Sequence, residues 1–242
     1  MFETQRMHRH AAERGNVLFL ILIAVALFAA LSYAVTQSSR SGGGDANSET
    51  NLINSAQVTQ YPASVRTAII RMMVSNSIDI STLEFNPPSD FADCTTDAAC
   101  VFHPGGGGAT FVPASADVIV SGNPQPWVFN GENEVNFVGT TGTVDAVTTT
   151  TADIMAIVSG VNRTICERIN EELGISSVPT DSNIDVLSNM GAGSAGTWVA
   201  GLANGPGGTI GEGAASALDG QAFGCFQQPA STYHYYHVLI EQ

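Results

Sequence analysis

The sequence predicts an α+β protein: an N-terminal transmembrane helix followed by a head of two amphipathic helices and a mostly antiparallel sheet. Residues 17–35 are nineteen consecutive residues without a charge. Apolar residues recur at three- and four-residue steps in two later segments, which indicates helices. Short segments rich in Val, Phe, Trp and Tyr alternate with turn sequences, which indicates strands. The predicted domains are a cytoplasmic leader (1–15), the transmembrane helix (16–37), a flexible joint (38–49) and an exported head (50–242).

The leader and the apolar run predict how the chain is oriented. Three arginines precede the run, and only Arg40 follows it closely. A helix of this length spans roughly the 30 Å of a bilayer's hydrocarbon core. Because cytoplasmic flanks are enriched in Arg and Lys, the N-terminus is expected in the cytoplasm and the head outside. The glycine-rich stretch SSRSGGGDANS at 38–48 predicts the joint.

Charge and composition exclude several functions. All eight basic residues are arginine, so mechanisms that need a lysine, such as a Walker phosphate loop or a Schiff base, are excluded. From Ser41 onward the sequence contains four arginines and twenty acidic residues. Because this excess of negative charge would repel nucleic acid, no nucleic-acid partner is expected. Neither a Gly-x-Ser-x-Gly nor a His-Glu-x-x-His motif occurs. We therefore predict no catalytic residues and no cofactor.

The head begins with the first amphipathic helix, which is expected over 52–78 with a kink or restart at Pro62. Its apolar stripe consists of Val58, Tyr61, Val65, Ile69, Met72 and Met73. The glycine run 105–108 lacks the Gly-Lys-Ser/Thr of a phosphate-binding loop and predicts a mobile loop. Short strands are expected at 116–120, 126–130, 134–138 and 143–147.

A second helix is expected to begin at Thr150, where Thr-x-x-Asp forms a capping box with Asp153, and to end at Gly174. Its stripe would be Ile154, Val158, Val161, Ile165, Ile169 and Leu173. The glycine-rich segment 191–220 predicts a loop. The closing sequence YHYYHVLIEQ predicts a strand.

The four cysteines predict disulfides in an exported head, and three pairings are possible. Cys94 with Cys100 would close a small loop, and Cys166 with Cys225 would join the second helix to the last strands. The spacing Cys-x5-Cys is not typical of zinc sites, so no metal site is predicted there.

Two further groups contain residue types that can bind metal ions. His234 and His237 are three residues apart, so on a strand they point to opposite faces and cannot jointly bind one ion. Asp181, Asn183 and Asp185 have calcium-loop spacing, but Val186 replaces the turn glycine and Ala192 replaces the closing glutamate. This leaves open a calcium site or a polar turn.

Within the apolar run, Ala26, Ala30 and Ala34 are four residues apart and share one helix face. Small residues at this spacing allow two helices to approach closely. Helix packing through this face is therefore a candidate function of the run.

The charged leader that ends at Gly15, followed at once by an apolar helix, resembles the type IV pilin family, which includes the pseudopilins of type II secretion. The resemblance covers mainly Arg14–Gln37. It implies cleavage between Gly15 and Asn16 by a prepilin peptidase, then packing with other pilin-like subunits or with copies of itself. It also implies a bacterial inner membrane with the head in the periplasm, or an extracellular filament. The family usually carries Phe or Met where Asn16 stands and Glu where Leu20 stands, which favours a minor subunit.

Two alternatives remain. Ser32-Tyr33-Ala34 offers small residues for signal-peptide cleavage after Ala34, which would release a secreted domain. An uncleaved anchor would instead hold a periplasmic binding or adhesion domain at the membrane.

Overall fold

The computed structural model describes residues 14–139, 152–182, 184–187, 208–228 and 231–241, and in the first helix it describes side chains at 18–33 and from 49 onward. The chain divides into two compact units, Met1–Thr50 and Asn51–Gln242. The elements are helix α1 (Arg14–Asn76), strands β1 (Val128–Val135) and β2 (Asp153–Ser159), helix α2 (Arg163–Glu172), and strands β3 (Thr209–Ile210), β4 (Phe223–Gln227) and β5 (Tyr233–Ile240). Short 3-10 helices occur at Ile80–Thr82, Pro88–Asp93, Ala116–Val118 and Gly213–Leu218.

The five strands form one sheet in the order β3-β1-β2-β5-β4. The pairs β1–β2, β2–β5 and β4–β5 are antiparallel, whereas β1 and β3 are parallel. The fold is therefore α+β, and its sheet is mixed. The parallel partner, β3, has only two residues and comes from the glycine-rich segment for which the sequence predicts a loop.

Two buried clusters cover the two faces of the sheet. One includes Ile154 and Val158 of β2 together with residues of α1 and α2. The other includes Met155 and Ile157 of β2. Strand β2 thus lies at the centre of the head and is buried on both faces.

The stripe predicted for the first amphipathic helix is confirmed. Val58, Val65, Ile69 and Met72 of α1 are buried in the first cluster. The helix continues through Pro62 instead of restarting there.

The predicted transmembrane helix is wrong: in the part of the chain that the structure describes, no helix is both long and apolar enough to cross a membrane.

The backbone is helical through 38–49, where the sequence predicts a flexible joint. Each glycine lowers helix propensity by about 1 kcal/mol but leaves the backbone hydrogen-bonding groups in place. A glycine-rich stretch therefore weakens a helix without excluding it.

The first half of the predicted second helix is wrong. Asp153 begins strand β2 and accepts a hydrogen bond from the backbone N–H of Val135 at 3.0 Å, whereas Thr150 lies outside the described residues. A strand buried on both faces has no polar–apolar alternation, so its apolar run can be mistaken for helix. Helix α2 begins only at Arg163, and Gly174 follows it with a positive φ of 81°, in agreement with the predicted stop.

The middle of the glycine run 105–108 is packed in the structure. Gly107 is buried, and its N–H donates to the carbonyl of Cys100 at 3.1 Å. A Cβ atom on Gly106 would lie 2.2 Å from the Cys100 carbonyl oxygen. Gly106 and Gly107 therefore lie where two backbone segments approach too closely for side chains, whereas Gly105 and Gly108 are exposed.

The structure confirms some of the remaining predicted strands and not others. Strand β1 joins two predicted strands through the Asn-Gly sequence at 130–131, with a bulge between Asn130 and Asn133. Residues 116–118 form a 3-10 helix, and 143–147 lie outside the described residues. The closing strand is confirmed as β5.

Candidate functional site

The first candidate site is the exposed apolar surface of α1 at 18–33. Each residue in this stretch is exposed, and none is charged. The large apolar residues are 42–72% exposed. They are Leu18, Phe19, Leu20, Ile21, Leu22, Ile23, Val25, Leu27, Phe28, Leu31 and Tyr33.

This surface surrounds the helix. Six of the apolar residues are consecutive, from Leu18 to Ile23, and successive residues of a helix point about 100° apart. A helix that is apolar on all sides is normally covered by other apolar groups. The stretch thus offers a contact surface in every direction.

The predicted packing and processing residues all lie on α1. Ala26 and Ala30 are exposed on the apolar surface, one helical turn apart. Ala34, Gly15 and Asn16 belong to the helix by their backbone, but their side chains lie outside the described residues.

The structure contains the two disulfides whose pairing the sequence favours, Cys94–Cys100 and Cys166–Cys225. The second bond joins α2 to β4, and both of its cysteines are fully buried. The first bond closes a loop at the head surface, with Cys100 buried and Cys94 partly exposed.

Beside the buried disulfide lies Asn170 of α2, a residue that no sequence pattern singles out. Its Nδ2 donates to the carbonyl of Cys225 at 3.0 Å, and its Oδ1 accepts from the Cys225 N–H at 2.9 Å. The amide thus pairs with β4 as a neighbouring strand residue would. It joins α2 to the sheet independently of the sulfur bridge.

A buried carboxylate lies beside the surface disulfide. Glu84 is 2% exposed, and its Oε2 is 3.3 Å from Sγ of Cys100 and accepts the N–H of Thr95 at 2.9 Å. Its Oε1 is buried and has no hydrogen-bond partner. Glu84, Cys94 and Cys100 place ligand atoms within 4.8 Å of one another. No sequence pattern points to Glu84, because it lies ten positions before the first cysteine.

The two histidines of β5 are buried on opposite faces, as predicted. His234 stacks on Phe226, whereas His237 stacks on Phe223 and lies 2.8 Å from the Tyr235 hydroxyl. Burial lowers the pKa of His234. Burial, helped by the positive charge of Arg66, lowers the pKa of His237 to about 4. Both rings are therefore neutral at pH 7 and pack as part of the core.

The two aspartates of the calcium-like sequence accept hydrogen bonds from backbone N–H groups. Asp181 accepts the backbone N–H groups of Ser182 at 2.7 Å and Gly211 at 3.1 Å, and burial raises its pKa. Asp185 accepts the N–H of Leu187 at 2.8 Å. Asn183 lies outside the described residues.

Comparison of the chain with known protein families, with curated proteins and with solved structures finds no match. The functional interpretation therefore depends on the chain's own residues.

Proposed function

We propose that this chain is a structural assembly subunit, similar to a minor pilin or pseudopilin, that associates through its N-terminal helix. The observation that carries this proposal is the uncharged stretch 18–33 of α1, in which each residue is exposed. Its partners would be further copies of the chain or other pilin-like subunits. The function is then association, and the head would present the contact surface of the assembly.

The energy available from this surface is large enough for assembly. Eleven large apolar residues are exposed between Leu18 and Tyr33. Covering one such side chain contributes about 1.5–3 kcal/mol. Covering half of them would contribute on the order of 10 kcal/mol, which is comparable to the estimated 4–15 kcal/mol cost of association. Covering all eleven would contribute about 16–33 kcal/mol, which exceeds this cost, so association becomes favourable when neighbouring helices cover most of the surface.

The alanine face indicates where the nearest neighbour would lie. Ala26 and Ala30 present only methyl groups on one side of α1. On the other sides the helix presents Leu, Ile and Phe side chains, which keep a neighbouring backbone farther away. The closest helix contact is thus expected along the alanine face.

Two features support a minor subunit in an oxidising compartment. Leu20 stands where the resemblance implies a glutamate, so the charge that usually sets subunit register is missing. The two disulfides favour a compartment in which thiols are oxidised. A periplasmic or extracellular head would meet this condition.

Crosslinking of the full chain tests the proposal. A photoreactive residue at position 27 should crosslink copies in the host membrane fraction or in mild detergent. Ala30→Phe should lower the yield several-fold, because the added ring separates the helices. Ala63→Phe makes the same change at an exposed position of α1 within the head and should leave the yield unchanged.

Two results would contradict the proposal. Undiminished crosslinking in Ala30→Phe would exclude the alanine face, and absence of any crosslink would exclude assembly through 18–33. The mass of the mature N-terminus separates the processing alternatives. Cleavage after Gly15 supports a pilin-like subunit, whereas cleavage after Ala34 would remove the stretch and favour a secreted binding domain.

A further inference from the structure

The carboxylate of Glu84 is buried, and it has fewer hydrogen bonds than its two oxygens can accept. The side chain is 2% exposed and receives one backbone hydrogen bond, from Thr95. Its Oε1 has no hydrogen-bond partner. A carboxylate removed from water is costly unless it is paired or coordinates a cation. The oxidised sulfurs beside it carry no positive charge and supply no such pairing.

The same place can supply a set of metal ligands. The Glu84 carboxylate and the sulfurs of Cys94 and Cys100 all lie within 4.8 Å of one another. In a tetrahedral zinc site, with Zn–S of about 2.3 Å and Zn–O of about 2.0–2.2 Å, ligand atoms lie about 3.5–3.8 Å apart. Oε2 of Glu84 is already 3.3 Å from Sγ of Cys100. Small side-chain rotations would thus complete the geometry once the sulfurs separate.

The backbone holds two of these ligands together independently of the disulfide. The N–H of Glu84 donates to the carbonyl of Ala99 at 3.1 Å, and the N–H of Val101 donates to the carbonyl of Glu84 at 2.9 Å. These bonds lie on either side of Cys100. The packed glycine run adds the bond from Gly107 to the Cys100 carbonyl. Glu84 and Cys100 therefore stay adjacent when the disulfide is reduced.

We propose that the reduced form of the head binds one thiophilic divalent cation of the zinc class through Cys94, Cys100 and Glu84. The metal-bound state and the disulfide exclude each other, because the same two sulfurs form both. Cys94 is partly exposed, so water can reach the fourth coordination position. The site would protect the two thiols until a small disulfide oxidises them: it takes up their two electrons and two protons from water and becomes a dithiol, while the bond Cys94–Cys100 closes and the cation is released.

A dithiol can reduce the Cys94–Cys100 bond and so open the metal site. The dithiol gives two electrons and two protons to the disulfide and becomes a disulfide itself, which leaves thiols on Cys94 and Cys100. Binding of the cation then releases both thiol protons to water. Two thiolates and one carboxylate around a divalent cation give a net charge of −1, so the Glu84 charge gains a partner. Thiolate ligands favour zinc-class ions over calcium or magnesium.

Cobalt is a suitable probe, because thiolate ligation of Co²⁺ produces a near-ultraviolet charge-transfer band. The full chain in mild detergent would be reduced anaerobically with a water-soluble phosphine and titrated with Co²⁺. Mass spectrometry after alkylation would identify which thiols are free. We expect one Co²⁺ per chain with a two-thiolate band in the reduced protein and none in the oxidised protein. Bound Co²⁺ should also protect Cys94 and Cys100 from alkylation, a measurement that needs no substitution.

Variants assign the ligands. Glu84→Gln should weaken Co²⁺ binding by at least about tenfold. Asp97→Asn removes an exposed carboxylate from the same loop and should leave the affinity unchanged. Cys94→Ser with Cys100→Ser should abolish the band. The proposal is overturned if the reduced wild type, with both thiols shown to be free, takes up no Co²⁺. It is also overturned by equal affinity in Glu84→Gln, or by a band that persists in the double serine variant.

Discussion

Removal of the buried disulfide should destabilise the head more than removal of the surface disulfide. The bond Cys166–Cys225 joins residues 59 apart in sequence, whereas Cys94–Cys100 joins residues 6 apart. On the chain-entropy model these closed loops are worth about 4 and about 2 kcal/mol. Alanine at both positions of each pair, Cys166→Ala/Cys225→Ala and Cys94→Ala/Cys100→Ala, removes each bond while adding no polar group. The expected difference in the free energy of unfolding is about 2 kcal/mol.

Urea denaturation of the full chain in mild detergent, without reductant, would measure this difference. Fluorescence of Trp127 reports on the head, since its indole is 3% exposed and packs against Tyr235. The slope of unfolding against urea should be similar in the two variants if only stability has changed. Equal losses, or a greater loss from Cys94→Ala/Cys100→Ala, would refute the reasoning. In that case Asn170, rather than the sulfur bridge, would be the main link between α2 and β4.

Two further predictions concern the core. Burial lowers the pKa of His237 to about 4 from 6.5, so the unfolded chain binds its proton first as the pH falls. The free energy of unfolding should therefore fall by up to about 3 kcal/mol between pH 6.5 and 4. His237→Gln should flatten most of this slope in urea titrations, and an unchanged slope would assign it to other groups. Gly106→Ala should cost about 1–3 kcal/mol, because the new Cβ would lie 2.2 Å from the Cys100 carbonyl oxygen. Gly105→Ala is the matched control, since its Cβ would meet a side-chain atom of His103 at 3.2 Å; equal thermal stability of the two variants would contradict the packing described.

Local patterns predicted the elements that have one buried face. The head part of α1 buries Val58, Val65, Ile69 and Met72, which recur at helical spacing. Strand β2 was missed because it is buried on both faces, so its residues show no alternation. The two-residue strand β3 depends on a distant partner, Val135, and carries no pattern of its own.

The chemistry of the candidate sites was predictable only in part. The cysteines could be paired by plausible loop sizes, and both pairs form. Glu84 could not be found, because it reaches Cys100 through a backbone pairing between segments sixteen residues apart. In the sequence, Asn170 is one of several polar residues of a predicted helix. Only the position of β4 in the structure shows that its side-chain amide forms two hydrogen bonds with the backbone of Cys225.

The two units differ in how far their apolar side chains are covered. Both buried clusters consist of residues between Val58 and Leu239, so the head has a core of its own. Buried polar side chains such as Asn170 and Asp153 bond within the head. The stretch 18–33, by contrast, exposes each of its described side chains. Since exposed apolar area of this extent is unfavourable in water, the proposed association is expected to involve this stretch.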